Sequence, residues 1–176
     1  MKNICLICSI LFLSANLAKT QIHIGVGGKV SVPTKNSYFI DYGGIGFNMA
    51  AGYLIKQRLD VTIMAENIWF HSVIKGFKIS SLQANFKYMI IKKPFKPYVG
   101  FSAGVYETSY VGFWSSQKIN QPIYFGFMPA IGAWFDSGWV NGLFINPELS
   151  YYYLQTNNKL NPINFNIGFL YYFEKK

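Results

Sequence analysis

The chain has 176 residues, 19% aromatic and 51% hydrophobic, and only 13% charged, about half the charged share usual for a soluble domain. Lys and Arg number 16 against 7 acidic residues, a net charge of +9. This length and hydrophobicity exclude a two-domain enzyme and a disordered tail, and the apolar residues are too evenly spread for a bundle of membrane helices.

Residues 1–20 read as a secretory signal peptide: Lys2 supplies the positive start, Ile4 to Leu13 an apolar core, and small or polar residues follow at Ser14-Ala15. Cleavage is expected after Ala18 or nearer Gln21, leaving 21–176 as the mature domain. The apolar core is too short to span a bilayer as a helix. Both cysteines, Cys5 and Cys8, lie inside it. The mature chain is therefore expected to hold no disulfide and no thiolate metal site.

Past the signal, apolar residues recur with period two, which predicts strands. Eight are expected, at 22–32, 43–55, 59–70, 79–91, 97–107, 122–135, 142–154 and 162–173. In the first, Ile22, Ile24, Val26, Val30 and Val32 alternate with His23, Gly25, Gly27, Lys29 and Ser31. The fourth is irregular. Leu82, Ala84, Phe86, Tyr88 and Ile90 define one face while Phe77 and Ile79 have the opposite parity, so the strand either begins near Ser80 or bulges at Ser80-Ser81. The segment 119–135 carries no charge but contains Pro122, Gly126, Pro129 and Gly132, which a helix tolerates poorly. In the last strand Ile163, Phe165, Ile167, Phe169, Tyr171 and Phe173 alternate with Asn164, Asn166, Gly168, Leu170 and Tyr172. Strands this long are what a tilted crossing of an outer membrane requires.

The charges and glycines sort by face. Lys29, Asp60, Glu66, Lys87 and Glu148 lie opposite the apolar faces, which carry only Lys78 and Glu107 at strand ends. Eleven strand glycines, Gly142 among them, share the polar face against two, Gly28 and Gly43, on the apolar one. A charge facing lipid near the midplane costs roughly 2–4 kcal/mol for Lys or Arg, and a narrow barrel needs small residues inside. The expected fold is all-β: an eight-stranded antiparallel up-and-down transmembrane barrel with its apolar faces outward. Both termini and the short links at Lys56-Arg58, Lys92-Lys96 and Asp136-Asn141 then lie at the periplasmic end, with the longer links outside. Aromatics bunch near strand ends, which predicts an interfacial girdle of Trp69, Phe70, Trp134, Phe135, Tyr151, Tyr153, Tyr171 and Phe173.

Together with the signal peptide, the runs Pro97-Tyr98-Val99-Gly100-Phe101-Ser102-Ala103-Gly104 and Asn166-Ile167-Gly168-Phe169-Leu170-Tyr171-Tyr172-Phe173 carry a resemblance. Over the whole mature chain, the protein resembles the small bacterial outer-membrane β-barrel proteins, the porin-like outer membrane protein β-barrel domain group common in Bacteroidetes. The resemblance implies that the aromatic of the final strand, matched by Phe173, is a recognition signal for the barrel-insertion machinery. Here Glu174-Lys175-Lys176 follow it.

Little in the sequence points to catalysis. Ester chemistry needs a base beside its nucleophile, and only His23 and His71 are available. In a strand, the neighbours His71 and Ser72 would point to opposite faces; in a loop that constraint relaxes, and a solvated loop histidine is the favoured reading. His23 is expected in the lumen. The inward charges Lys29, Asp60, Glu66, Lys87 and Glu148 admit three readings: an ion-pair plug, a channel lining, or a catalytic carboxylate pair. The plug is favoured, because buried charges must pair. Gly25-x-Gly27-Gly28 precedes no helix and is no phosphate loop. No cofactor is expected, and two histidines without cysteine argue against a structural zinc site. Export argues against nucleic acid as the basic chain's partner. Lys35, Lys75, Lys118 and Lys159 at the outer rim fit lipid headgroups and lipopolysaccharide phosphates, although plain solubility of loop tips explains them equally. Phe113-Trp114 is a candidate contact in the longest outer loop. The expected function is a structural or surface-interacting outer-membrane barrel, contacting lipid, lipopolysaccharide and a surface or periplasmic protein. The alternatives are a narrow pore or accessory barrel of a transport or secretion system, and a lipid-modifying hydrolase.

Overall fold

The alternation of polar and apolar residues resolves into one closed antiparallel wall. The structure, a computed structural model, describes residues 20–34, 43–70, 75–91, 95–112, 123–154 and 161–173. Its strands are β1 (Thr20–Pro33), β2 (Gly44–Ile55), β3 (Leu59–Phe70), β4 (Lys75–Met89), β5 (Phe95–Gly112), β6 (Ile123–Asp136), β7 (Leu143–Tyr151), β8 (Tyr153–Leu154) and β9 (Pro162–Phe173). Each pairs with its neighbour in sequence, β9 closes onto β1, and β7 and β8 share one position beside β6. The wall therefore has eight positions.

The registers fix its geometry. Stepping from partner to partner, Gln21 leads through Leu54, Asp60, Lys87, Gly100, Ala130, Ser150 and Asn164 back to β1 at Ser31, ten residues from the start. A shear of ten over eight strands implies a strand tilt of roughly 40°. All connections at the end holding Thr20 and Phe173 are short. The tightest is Lys56–Arg58, where Arg58 N donates to Ile55 O at 3.0 Å and Lys56 and Gln57 take φ of 49° and 58°. That mirror-image turn matches the right-handed twist of the strands it joins.

Side-chain parity follows the expected faces. On β9 every odd residue from Ile163 to Phe173 is exposed and every even residue from Pro162 to Tyr172 is buried. The outer wall is apolar: Val26, Met49, Ile63, Leu82, Phe101, Ile131 and Phe165 are all about half exposed or more. The glycines of the inner face lie where strands and side chains crowd. A Cβ on Gly52 would come 2.4 Å from Val61 O, and one on Gly104 2.3 Å from Leu82 O.

Four expectations are corrected. β4 neither begins at Ser80 nor bulges there: it runs in unbroken register with β3 from Phe77 to Tyr88, and Ile79 is buried inside. Apolar residues mark the outside only where the lumen is polar, and near this rim the lumen is apolar. For the same reason Phe70 and Trp134 do not belong to the outer girdle; both are buried in the barrel. β5 is 18 residues long and overshoots its expected end. The seventh strand divides at Tyr152 into β7 and β8, and Gly142 lies in the turn before it, at a φ of +84° that favours glycine. Between β6 and β7 the ladder skips Ala133 and Trp134, opposite Pro147 and Asn146, and between the β7 and β8 pairings it skips Pro129 and Met128. Proline lacks the N–H that such rungs need.

Candidate functional site

The interior of the barrel is the region where chemistry-bearing side chains converge. Odd positions of β1 and β4 and even positions of the other strands point inward, so all five charges anticipated there (Lys29, Asp60, Glu66, Lys87 and Glu148) reach the lumen. They do not form one cluster. Towards the long-loop end Lys29 pairs with Glu66, and the Tyr152 hydroxyl donates to the same carboxylate. Lys29 Nζ also lies 3.2 Å from Tyr152 Oη, and Gln83 Nε2 donates to that hydroxyl at 3.1 Å.

The second pair lies deeper. Lys87 Nζ donates to Glu148 Oε2 at 2.6 Å. The Tyr98 hydroxyl is 2.7 Å from the same oxygen and 2.8 Å from Asn146 Oδ1, and its single proton serves one of them at a time. Asp60 has a different partner: His23 Nε2 is 3.3 Å from Asp60 Oδ1, while Thr62 Oγ1 donates to Oδ2 at 2.9 Å. His23 is also held by aromatic rings, Tyr172 at 4.8 Å and Trp134 at 6.1 Å between centroids. Asn48 Nδ2 donating to Asn166 Oδ1 at 2.9 Å completes the polar band.

This band lies between two apolar layers. Towards the long loops stand Met64, Ile68, Phe70, Ile79, Tyr106, Met128 and Tyr152. Towards the short turns stand Leu54, Met89, Tyr98, Trp134, Leu170 and Tyr172, with Phe144 against them. Within the band lies a cavity of about 30 Å³ lined by His23, Asp60, Asn85, Lys87, Glu148 and their neighbours, room for a water or two. Buried charges carry a large desolvation penalty, and here each lysine meets a carboxylate.

Sequence parity placed these side chains in the lumen but missed the roles of Tyr98, Gln83 and Tyr152. Their inward parity, shared with the charges, is the signal that could have found them. Of the girdle residues, Trp69, Phe135, Tyr151, Tyr153, Tyr171 and Phe173 are 37–48% exposed on the outer wall. Lys35, Lys118, Lys159, His71-Ser72, Phe113-Trp114 and the signal peptide up to Lys19 lie outside the described residues. Lys75 opens β4. Among the described residues, no three His, Cys, Asp or Glu side chains gather as a metal-binding group.

A closed eight-stranded antiparallel wall with an apolar outer face is the fold of the small outer-membrane β-barrels. Solved structures agree on the fold. Neisserial surface protein A superposes with a TM-score of 0.66 at 16% identity, over 88% of this chain and 97% of that one. The outer membrane protein OprG from Pseudomonas aeruginosa gives 0.61 at 12% identity, over 90% and 98%. The outer membrane enzyme PagL gives 0.50 at 15% identity, over 84% and 98%. No family model and no curated protein matches the sequence.

Proposed function

We propose that this protein is a structural or surface-interacting barrel of the outer membrane, exported by way of residues 1–20, whose lumen neither conducts nor catalyses. The observation that carries this reading is the layered interior. Two ion pairs are held between two layers of packed apolar and aromatic side chains, with a cavity of about 30 Å³ beside the Lys87–Glu148 pair. An ion crossing the lumen would have to displace both layers. In this orientation the short-turn end faces the periplasm and the long loops face outward, as in outer-membrane barrels generally. The reading keeps Lys35, Lys75, Lys118 and Lys159 as the expected contacts for lipid and lipopolysaccharide phosphates, and Phe173 ends the strand that the insertion machinery would read. The six outward girdle aromatics mark the two interfaces. Planar-bilayer recording tests the closed lumen: the proposal expects no steady conductance step, and a reproducible step would favour the pore or transport-accessory reading.

A lipid-hydrolase reading has one specific support, the fold shared with the enzyme PagL. It predicts that expression changes the extracted lipid and that His71→Ala abolishes the change. Unchanged lipid would leave the non-catalytic reading standing.

A further inference from the structure

The apolar outer wall is notched on one side. Across β3, β4 and β5 the registers place Asn67, Ser80 and Glu107 in one row, and Trp69, Lys78 and Ser109 in the next. All six have the outward parity of their strands and none is buried. Elsewhere among the described residues of this rim, outward positions such as Val30, Val32, Ile45, Ile123, Phe125 and Ile163 are exposed and apolar. The notch is organised: Ser80 Oγ donates to Asn67 Oδ1 at 2.9 Å. Lys78 Nζ lies 5.6 Å from the centre of the Trp69 ring, which packs 5.4 Å from Phe47. The Glu107 carboxylate makes no hydrogen bond or ion pair within the described residues.

Depth selects the partner. A tilted strand crosses the hydrocarbon in about 9–11 residues. From Leu59 to Asn67 on β3, and from Tyr88 to Ser80 on β4, the chain has gone nine residues from the short-turn rim. The row therefore sits where strands leave the hydrocarbon and enter the outer headgroup layer. An ammonium there attracts phosphate, a carboxylate with an amide and a hydroxyl offers hydrogen bonds to sugar hydroxyls, and an indole flank packs on a saccharide ring or chain. We propose that the face formed by Asn67, Trp69, Lys78, Ser80 and Glu107 is a binding site for the sugar-phosphate headgroup of an outer-leaflet glycolipid. The site rests on the surface-barrel reading above. It adds to the loop lysines a contact on the wall itself.

The test uses the full mature chain, folded in detergent micelles, with phosphorylated lipid A and phosphatidylglycerol as competing probes and native mass spectrometry to count lipid retained. Wild type should retain lipid A at least five-fold over phosphatidylglycerol. The triple variant Asn67→Leu, Ser80→Ala, Glu107→Leu should lose that preference while still migrating as a heat-modifiable barrel, since apolar side chains suit this wall. Lys78→Gln should reduce retention of phosphorylated lipid A but not of its dephosphorylated form. Equal retention of both probes by wild type, or an undiminished preference in the triple variant, would overturn the site and leave the barrel untouched. Capture of a second copy in place of lipid, seen as a dimer that the triple variant abolishes, would also overturn it. A wild-type chain without heat-modifiable migration would overturn the membrane-barrel reading and the site with it.

Discussion

Asp60 and Lys87 face each other across β3 and β4, yet they are not each other's chosen partners. Lys87 reaches across the lumen to Glu148 on β7, while Asp60 turns to Thr62 and His23. The cross-lumen pair ties opposite walls together, which a pair within adjacent strands would not do.

That arrangement sets the first prediction. Truncating one member of a buried pair leaves an uncompensated charge and costs about 3–5 kcal/mol. Glu148→Ala should therefore lower the midpoint of urea unfolding from lipid vesicles markedly. The double variant Lys87→Met, Glu148→Leu should recover most of the loss, because well-packed apolar replacements of a buried pair are often neutral or better. A single variant as stable as wild type would show that the pair contributes nothing.

Space inside the wall sets the second. At Gly52 and Gly104 an added Cβ meets backbone oxygen at 2.4 and 2.3 Å, whereas at outward-facing Gly28 it meets nothing within 4 Å. Gly52→Ala and Gly104→Ala should each cost about 1–3 kcal/mol through forced backbone shifts. Gly28→Ala should be neutral or gain about 0.5 kcal/mol, since glycine weakens a strand. Unfolding midpoints of the three variants, compared side by side, check the ordering.

The turn between β2 and β3 supplies the third. Lys56 and Gln57 both occupy positive φ, which costs residues with a Cβ about 1–2 kcal/mol each. Replacing the pair by Asn-Gly, the sequence this turn type prefers, should stabilise the barrel by about 1 kcal/mol and raise its thermal midpoint. A lower midpoint would show that the turn is held by contacts from the lysine or glutamine side chain.

The interrupted seam supplies the fourth. Rungs are missing between β6 and the strands β7 and β8 around Pro147 and Pro129, while β1 pairs without a gap to β9 from Ile22 to Pro33. Amide hydrogen exchange should be faster for Ala133, whose amide faces Pro147, than for Val26 and Phe169 by at least ten-fold. Uniform protection around the wall would mean that the prolines do not weaken closure.

Much of this architecture was legible because a strand between lipid and a polar lumen writes its orientation in every second residue. β9 is the clearest case. The same rule misled at Ile79, whose apolar side chain suggested a late start or a bulge although it lies in an apolar layer of the lumen; Phe70 and Trp134 have inward parity, and it was their place near strand ends that suggested the girdle. Parity alone cannot separate an apolar lumen layer from the outer wall. Nor could it tell that Lys29 would meet Glu66, and Lys87 Glu148, because partners across a barrel depend on the shear. The shear of ten emerges only from all eight registers together. Tyr98 and Tyr152 were overlooked because, within aromatic-rich strands, nothing local marks a tyrosine that bridges charges.

Spin labels placed singly at residues 163 to 170 of β9, in the barrel reconstituted in lipid bilayers, test the orientation of the wall directly. Labels at the odd positions should collide freely with oxygen dissolved in the hydrocarbon and be shielded from a water-soluble nickel chelate, whereas labels at the even positions should be screened from both. Greater oxygen access at Asn164, Asn166 and Gly168 than at Ile163, Phe165 and Ile167, or no alternation at all, would contradict a barrel that turns its apolar face to the membrane.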